Sequence, residues 1–224
     1  GQTIGDTQPN HRFYESQGIK TEGSFFAKAT QKLTSKLTGF LDLQFRGIDY
    51  NVDGTVSGPQ DFSVDDQFAF FNPKAGLTFM LSQKQNLYFS YAKAQREPNR
   101  TDYENGSPKP EKLNDFELGW RMKKEKIQAQ ANLYWMEYQD QLVLTGAIDE
   151  VGAPIRQNVG KSRRVGIEIE ATIQLADQWL FKPNLAVSSN QNLDFYFKRD
   201  GILQSLGKTQ LAYSPNIVGG NALV

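Results

Sequence analysis

The chain contains no cysteine and only one histidine, and its 25 Lys and Arg residues are balanced by 25 Asp and Glu, leaving a formal net charge of zero. Without thiols there is no disulfide framework and no thiolate–metal site. The lone imidazole, His11, precedes the first convincing strand pattern and reads as a loop histidine. A Ser–His–Asp arrangement or a histidine base therefore lacks its central group, and no enzymatic activity and no cofactor are expected. Balanced charge gives no electrostatic case for nucleic acid. No run of about 18 apolar residues occurs, which excludes an α-helical span but leaves a β span open. No signal peptide is recognisable. The mean hydropathy of -0.56 fits that reading, because alternating strands dilute hydropathy.

What the chain has is alternation. In residues 165 to 175, Val165, Ile167, Ile169, Ala171, Ile173 and Leu175 fall on one face of an extended strand, and Gly166, Glu168, Glu170, Thr172 and Gln174 on the other. Unbroken alternation of this length is about twice the usual strand of a soluble sheet and matches the roughly 9–11 residues that cross a membrane in a tilted barrel.

The rest of the chain repeats the design, predicting hairpins from 24–33 with 37–50, 68–82 with 87–96, 116–123 with 126–144, and 164–175 with 179–193, and a last strand over 217–224. This makes an all-β antiparallel up-and-down meander of about nine strands, part of a large transmembrane β-barrel. Residues 1–224 form one partial barrel domain, with a leading loop over 1–22 and strands over 23–224. Short connections fall at 34–36, 83–86, 124–125 and 176–178, and long loops at 51–66, 97–115, 145–163 and 194–216. Face assignment also sets turn parity, since a slip of one residue exchanges the faces. It predicts odd connections around Ser35 and Lys84 and between Leu175 and Trp179, and an even one at Lys124-Glu125.

Several motifs resemble a known family. Phe70-Phe71-Asn72-Pro73-Lys74-Ala75-Gly76-Leu77, then Leu87-Tyr88-Phe89-Ser90-Tyr91 running into Arg96-Glu97-Pro98-Asn99-Arg100, are similar to the mid-barrel strands of TonB-dependent outer-membrane receptors. Pro110 to Gly119, Asn158 to Ser162 ahead of Arg164 to Glu170, and Tyr213-Ser214-Pro215-Asn216 resemble later segments of that barrel. The resemblance implies a piece of a barrel of about 22 strands that is plugged in the intact receptor, with plug and terminal strands outside this chain. It also implies a Gram-negative outer-membrane location, contact with outer-membrane lipid, and TonB as a partner through the plug region. The implied activity is energised uptake of a large scarce nutrient such as an iron complex, haem, cobalamin or a glycan. The competing class is a soluble β-sandwich binding module, for instance one for carbohydrate, whose apolar faces would form an internal core.

Candidate residues follow from position. Arg96 and Arg100 belong at the extracellular rim, as loop anchors paired with Glu97 and Asp102 or as contacts for an anionic ligand. Trp135 and Tyr138 fall toward the long-loop side, in the upper aromatic belt or at the mouth, and Trp120, Trp179 and Tyr88 near the short turns, in a lower belt. Arg121, Glu168, Glu170 and Lys182 are placed on the polar lumen face, with an ion pair between Glu170 and Lys182. Asp49-Tyr50-Asn51-Val52-Asp53-Gly54 has the opening of a calcium loop. Gln60 stands where the closing glutamate belongs, so the segment reads as a turn and no metal is expected. Asn99-Arg100-Thr101 matches a glycosylation sequon by chance. One broad apolar face and two unpaired edges lead to the expectation that this chain, alone in water, self-associates.

Overall fold

The structure is a computed structural model and describes residues 15–56, 60–149, 152–199, 202–211 and 217–223; His11 and the bend at 213–216 lie outside these residues. Its elements are β1 (Ser16–Lys32), β2 (Leu37–Val56), β3 (Gln60–Ser82), β4 (Gln85–Arg96), a short helix α1 (Arg100–Glu104), β5 (Glu111–Lys123), β6 (Ile127–Ile148), β7 (Pro154–Ala176), β8 (Trp179–Arg199), β9 (Ile202–Gln210) and β10 (Ile217–Leu223). The sheet order is β1-β2-β3-β4-β5-β6-β7-β8-β10, with β9 also on β8. This is the up-and-down antiparallel meander that the alternation implies.

The strands are longer than expected. β1 starts at Ser16, inside the expected leading loop, and much of the loops expected over 51–66, 145–163 and 194–216 is strand. β9 has no counterpart in the sequence reading. The added parts of these strands mix polar and apolar residues without a sustained two-residue rhythm. Their backbone is satisfied by ladder pairing instead, as in Gln139↔Lys161, Gln141↔Val159 and Leu142↔Asn158. A small core adds to it, with Val143, Val159 and Leu211 buried together and Phe195 packed against them. Among the described residues of the expected long loops, 97–110 alone stays largely outside strands, broken by α1.

By contacts the chain falls into two compact units, Gly1–Phe25 with Phe45–Phe70 and Phe26–Gln44 with Phe71–Val224. In the first, Ile48, Val52, Val64 and Phe70 are buried, the Phe68 and Phe70 rings stack at 5.5 Å, and Arg46 pairs with Glu22 at 2.6 Å.

The second unit is ordered by rows that run across the ladders. One row, Leu77, Phe89, Leu118, Leu133, Ile167, Val187 and Ile217, crosses seven strands through successive pairs. All but Ile167 are among the exposed large hydrophobics, Leu133 at 50%. The next row toward the short turns is Phe79, Leu87, Trp120, Ala131, Ile169 and Leu185. On the other face the matching rows are polar: Tyr88, Gly119, Asn132 and Glu168, then Asn86, Arg121, Gln130, Glu170 and Asn184. The sheet thus turns its largest apolar side chains toward the surroundings.

Register has the parity that these faces require. The turn Thr34–Lys36 is closed by Leu33 N donating to Leu37 O at 2.9 Å. In β3/β4 and β7/β8 the pairs Met80↔Asn86 and Gln174↔Leu180 enclose an odd number of residues, and a bulge beside each turn then admits a two-residue tip, Gln83-Lys84 and Asp177-Gln178. β5/β6 has the even connection, with Lys123↔Gln128 and Lys124 N donating to Ile127 O at 2.8 Å, so that its tip is Glu125-Lys126.

Tyr88 departs from expectation. It lies on the polar face, its hydroxyl donating to Asn132 Oδ1 at 2.9 Å, because the outward residues of β4 are odd-numbered. Its ring covers Gly119, where a Cβ would come within 2.1 Å of ring carbons, and Tyr134 covers Gly166 in the same way, at 2.5 Å from its hydroxyl oxygen. A ring laid over a glycine fills the gap left by the missing side chain. Gly119→Ala and Gly166→Ala should therefore each destabilise the sheet by about 1–3 kcal/mol through overpacking. Thermal unfolding of the full-length protein in detergent checks this, with Gly47→Ala, whose Cβ meets nothing within 4 Å, as the neutral reference. Midpoints equal to that reference would show that the ring contacts carry no stability.

Candidate functional site

Two regions of the second unit bring polar side chains together. The first lies on the polar face near the short turns, a recess of about 580 Å³ lined by Arg121, Gln130, Glu170, Thr172 and Lys182 among others. Arg121 and Glu170 flank Gln130 in one row. The Glu170 carboxylate accepts from Gln130 Nε2, and the Arg121 guanidinium lies 4.1 Å over the Tyr88 ring. The expected Glu170–Lys182 ion pair does not form. Both residues share the face, but Glu170 is turned to its directly paired neighbour on β6. Glu168 stands in the next row, opposite Asn132. The recess offers a wall of donors and acceptors to a polar body, with the cations Lys84, Arg121, Lys123 and Lys182 around one carboxylate, Glu170.

The second region is at the long-loop end, where the 97–110 segment is tied down by charged hydrogen bonds. Asn99 caps α1: its Oδ1 accepts from Asp102 N at 3.0 Å, and Asp102 Oδ2 accepts from Asn99 N at 2.9 Å. This reciprocal cap satisfies two backbone donors. The same Asp102 carboxylate, whose side chain is 2% exposed, takes the Arg156 guanidinium of β7 at 2.9 Å. Asn158, also on β7, accepts from Lys109 N at 2.7 Å and donates to Lys109 O at 3.0 Å. Glu111 Oε1 accepts from Leu142 N of β6 at 2.6 Å, and its other oxygen pairs with Arg96. A segment that joins β4 to β5 is thus strapped to β6 and β7.

Arg96 and Arg100 are each engaged by a carboxylate: Arg96 by Glu111, and Arg100 by Glu104 one helical turn on at 2.7 Å. Asp102 is turned to Arg156. Pro98 lies just past the end of β4, as its lack of an N–H requires. The structure does not bring Trp135 and Tyr138 together. Trp135 is 45% exposed on the apolar face, with the Arg163 guanidinium 4.7 Å from its ring, while Tyr138 is half-buried on the polar face with Arg164 at 5.0 Å. Asp49 to Gly54 lies within β2, and the Asp49 carboxylate accepts from Gln67 Nε2 at 2.9 Å. Among the described residues, no three His, Cys, Asp or Glu side chains are placed to hold a metal ion. Asn99 of the sequon is the helix cap.

The family model described as TonB dependent receptor-like, beta-barrel matches residues 1–222. The chain belongs to that family. Solved structures similar to this TonB-dependent receptor barrel share its fold at low identity. The ferric-catecholate import receptor Fiu of E. coli K12 superposes with a TM-score of 0.63 at 18% identity, over 92% of this chain and 32% of its own. For the ferric yersiniabactin uptake receptor FyuA of Yersinia pestis the values are 0.64, 18%, 97% and 33%, and for the alcaligin receptor FauA of Bordetella pertussis 0.63, 15%, 92% and 34%. The chain therefore spans about a third of the length of these receptors. No curated protein matches it in sequence.

Glu111, Arg156 and Asn158 were not singled out from the sequence, and Asp102, expected beside Arg96 and Arg100, pairs with Arg156 instead. One signal was there, since Asn99 followed three residues later by Asp102 has the spacing of a capping box; the partners on β6 and β7 are distant in sequence and carry no local mark. Asp102→Ala removes the reciprocal cap and leaves Arg156 without that partner. Amide exchange over 99–106 should speed up by roughly 10- to 100-fold, in line with about 1–3 kcal/mol for a lost cap and a charged hydrogen bond, while β5–β8 amides below Trp135 keep their protection. Unchanged exchange in the segment would remove the strap from this account.

Proposed function

We propose that this chain forms part of the wall of an outer-membrane receptor in a Gram-negative cell, one that takes up a large scarce nutrient with energy delivered by TonB through the plug region of the whole protein. What carries the reading is the apolar face. The row from Leu77 to Ile217 crosses seven strands and stays exposed, as lipid-facing residues of a barrel do. A soluble β-sandwich would press such a row against a second sheet. The short-turn end is then periplasmic and the strapped end extracellular.

Among the nutrient classes, an iron complex is the one we favour. Fiu, FyuA and FauA are named for ferric-catecholate import, ferric yersiniabactin uptake and alcaligin. In this reading Arg96 and Arg100 hold the rim in shape and Tyr138 is the candidate for ligand contact, while Trp135 belongs to the lipid side. The polar row of Arg121, Gln130 and Glu170, with Lys182 and Glu168 beside it, faces the plug. The chain itself catalyses no reaction. A strain lacking the full-length gene should lose growth on one ferric chelate as sole iron source, and a TonB-null strain should lose it equally. Undiminished growth on every iron, haem, cobalamin and glycan source would overturn the proposal.

Taken alone in detergent-free buffer, the chain is expected to sediment as dimers or larger species, because water cannot satisfy contiguous apolar rows of this extent. A monodisperse monomer would favour the sandwich reading instead.

A further inference from the structure

Above the lipid-facing rows, the outward face of the second unit changes character within three steps. First comes an aromatic row, Tyr91, Phe116 and Trp135, read across β4, β5 and β6. Tyr91 packs on Phe116 at 4.9 Å and donates its hydroxyl to Asn114 Oδ1 at 2.9 Å, one row nearer the strap. Ring below and hydroxyl above is how aromatic side chains lie at a membrane–water boundary. The next row is Lys93, Asn114, Glu137 and Arg163, and the one beyond it Gln95, Lys112, Gln139 and Lys161.

These two rows hold four cations, Lys93, Lys112, Lys161 and Arg163, and one carboxylate, Glu137. That carboxylate is already committed: Arg163 pairs with it at 2.9 Å, and the Trp135 indole N–H together with Arg163 holds it below the usual carboxylate range. Lys93, Lys112 and Lys161 form no ion pair with a described residue. Adjacent strands lie about 4.8 Å apart, so Lys112 and Lys161, two strands apart, stand roughly 10 Å from each other at the backbone. Like charges at this spacing repel, and among the described residues of these two rows the one carboxylate, Glu137, already paired with Arg163, is within electrostatic reach of Lys161.

We propose that this basic belt binds the phosphate groups of anionic lipids in the leaflet at the long-loop end. The aromatic row sets the depth, because its rings lie level with the boundary and place the cations at headgroup height. Arg163 fixes the centre of the belt, its guanidinium held between the Trp135 ring and Glu137, and the three lysines supply uncommitted charge on either side. The proposal rests on the lipid-facing reading of the apolar rows.

The test uses the full-length receptor in nanodiscs of phosphatidylcholine with spin-labelled phosphatidylglycerol or spin-labelled phosphatidylcholine, reading the preference for the anionic label at the protein surface. The wild type should prefer phosphatidylglycerol, and the preference should fall about fivefold for each cation removed in Lys112→Gln/Lys161→Gln and, independently, in Lys93→Gln/Lys161→Gln. Lys124→Gln/Lys126→Gln, at a short turn, should keep it. No preference in the wild type, equal loss in the short-turn pair, or preference intact in both belt pairs would overturn the proposal. So would loss of the preference on adding millimolar inorganic phosphate at constant ionic strength, which would mark a soluble-anion site. If the receptor failed to enter nanodiscs at all, the membrane reading itself would fall, an outcome distinct from insertion without lipid preference.

Discussion

Cross-strand pairing of backbone N–H and C=O groups is the constraint from which the rest follows. Within hydrocarbon an unpaired backbone group costs several kcal/mol, so a strand can lie there only with partners on its edges. In β4 to β8 every step of pairing carries the two-residue side-chain period to the next strand in step, from Leu87↔Trp120 through Trp120↔Ala131 and Ala131↔Ile169 to Ile169↔Leu185. The consequence is collective: one row of apolar side chains implies a polar row behind it, and neither can move without the other.

This collective order is why the half of the fold that carries the apolar rows was legible in the sequence. Val165 to Leu175 alternates because each residue has a fixed side, and the parity of the turns followed from arithmetic alone. Legibility ended where the two faces cease to differ. The upper parts of β2, β3 and β7 and the last residues of β6 mix polar and apolar side chains without a sustained two-residue rhythm and were read as loop, and β9 gave no signal. Tyr88 was missed for another reason, since aromaticity near a short turn was weighed above its even number. At the rim, Asn99 and Asp102 were readable as a cap, but Arg156 and Asn158, about fifty positions away, were not.

The strapped segment follows different physics from the rows beneath it. Its 97–110 stretch has little apolar burial to hold it, and charged hydrogen bonds take that place: Asp102 with Arg156, Glu111 with the Leu142 amide, Asn158 with both backbone groups of Lys109. Each carboxylate serves two masters at once, a backbone group and a guanidinium. Such bonds are directional, so they define one arrangement of the segment where apolar packing would tolerate several.

β6 can be read as a ruler. From Ile127 to Trp135 it takes 8 steps, and from Trp135 to its end at Ile148 a further 13, or about 27 Å and about 44 Å along the strand at ~3.4 Å per residue. With the aromatic row at the lipid boundary, as proposed, more of β6 stands clear of lipid than lies within it. In the orientation proposed above, a hairpin of this height works as a mast: whatever arrives from outside meets the tip before the headgroups.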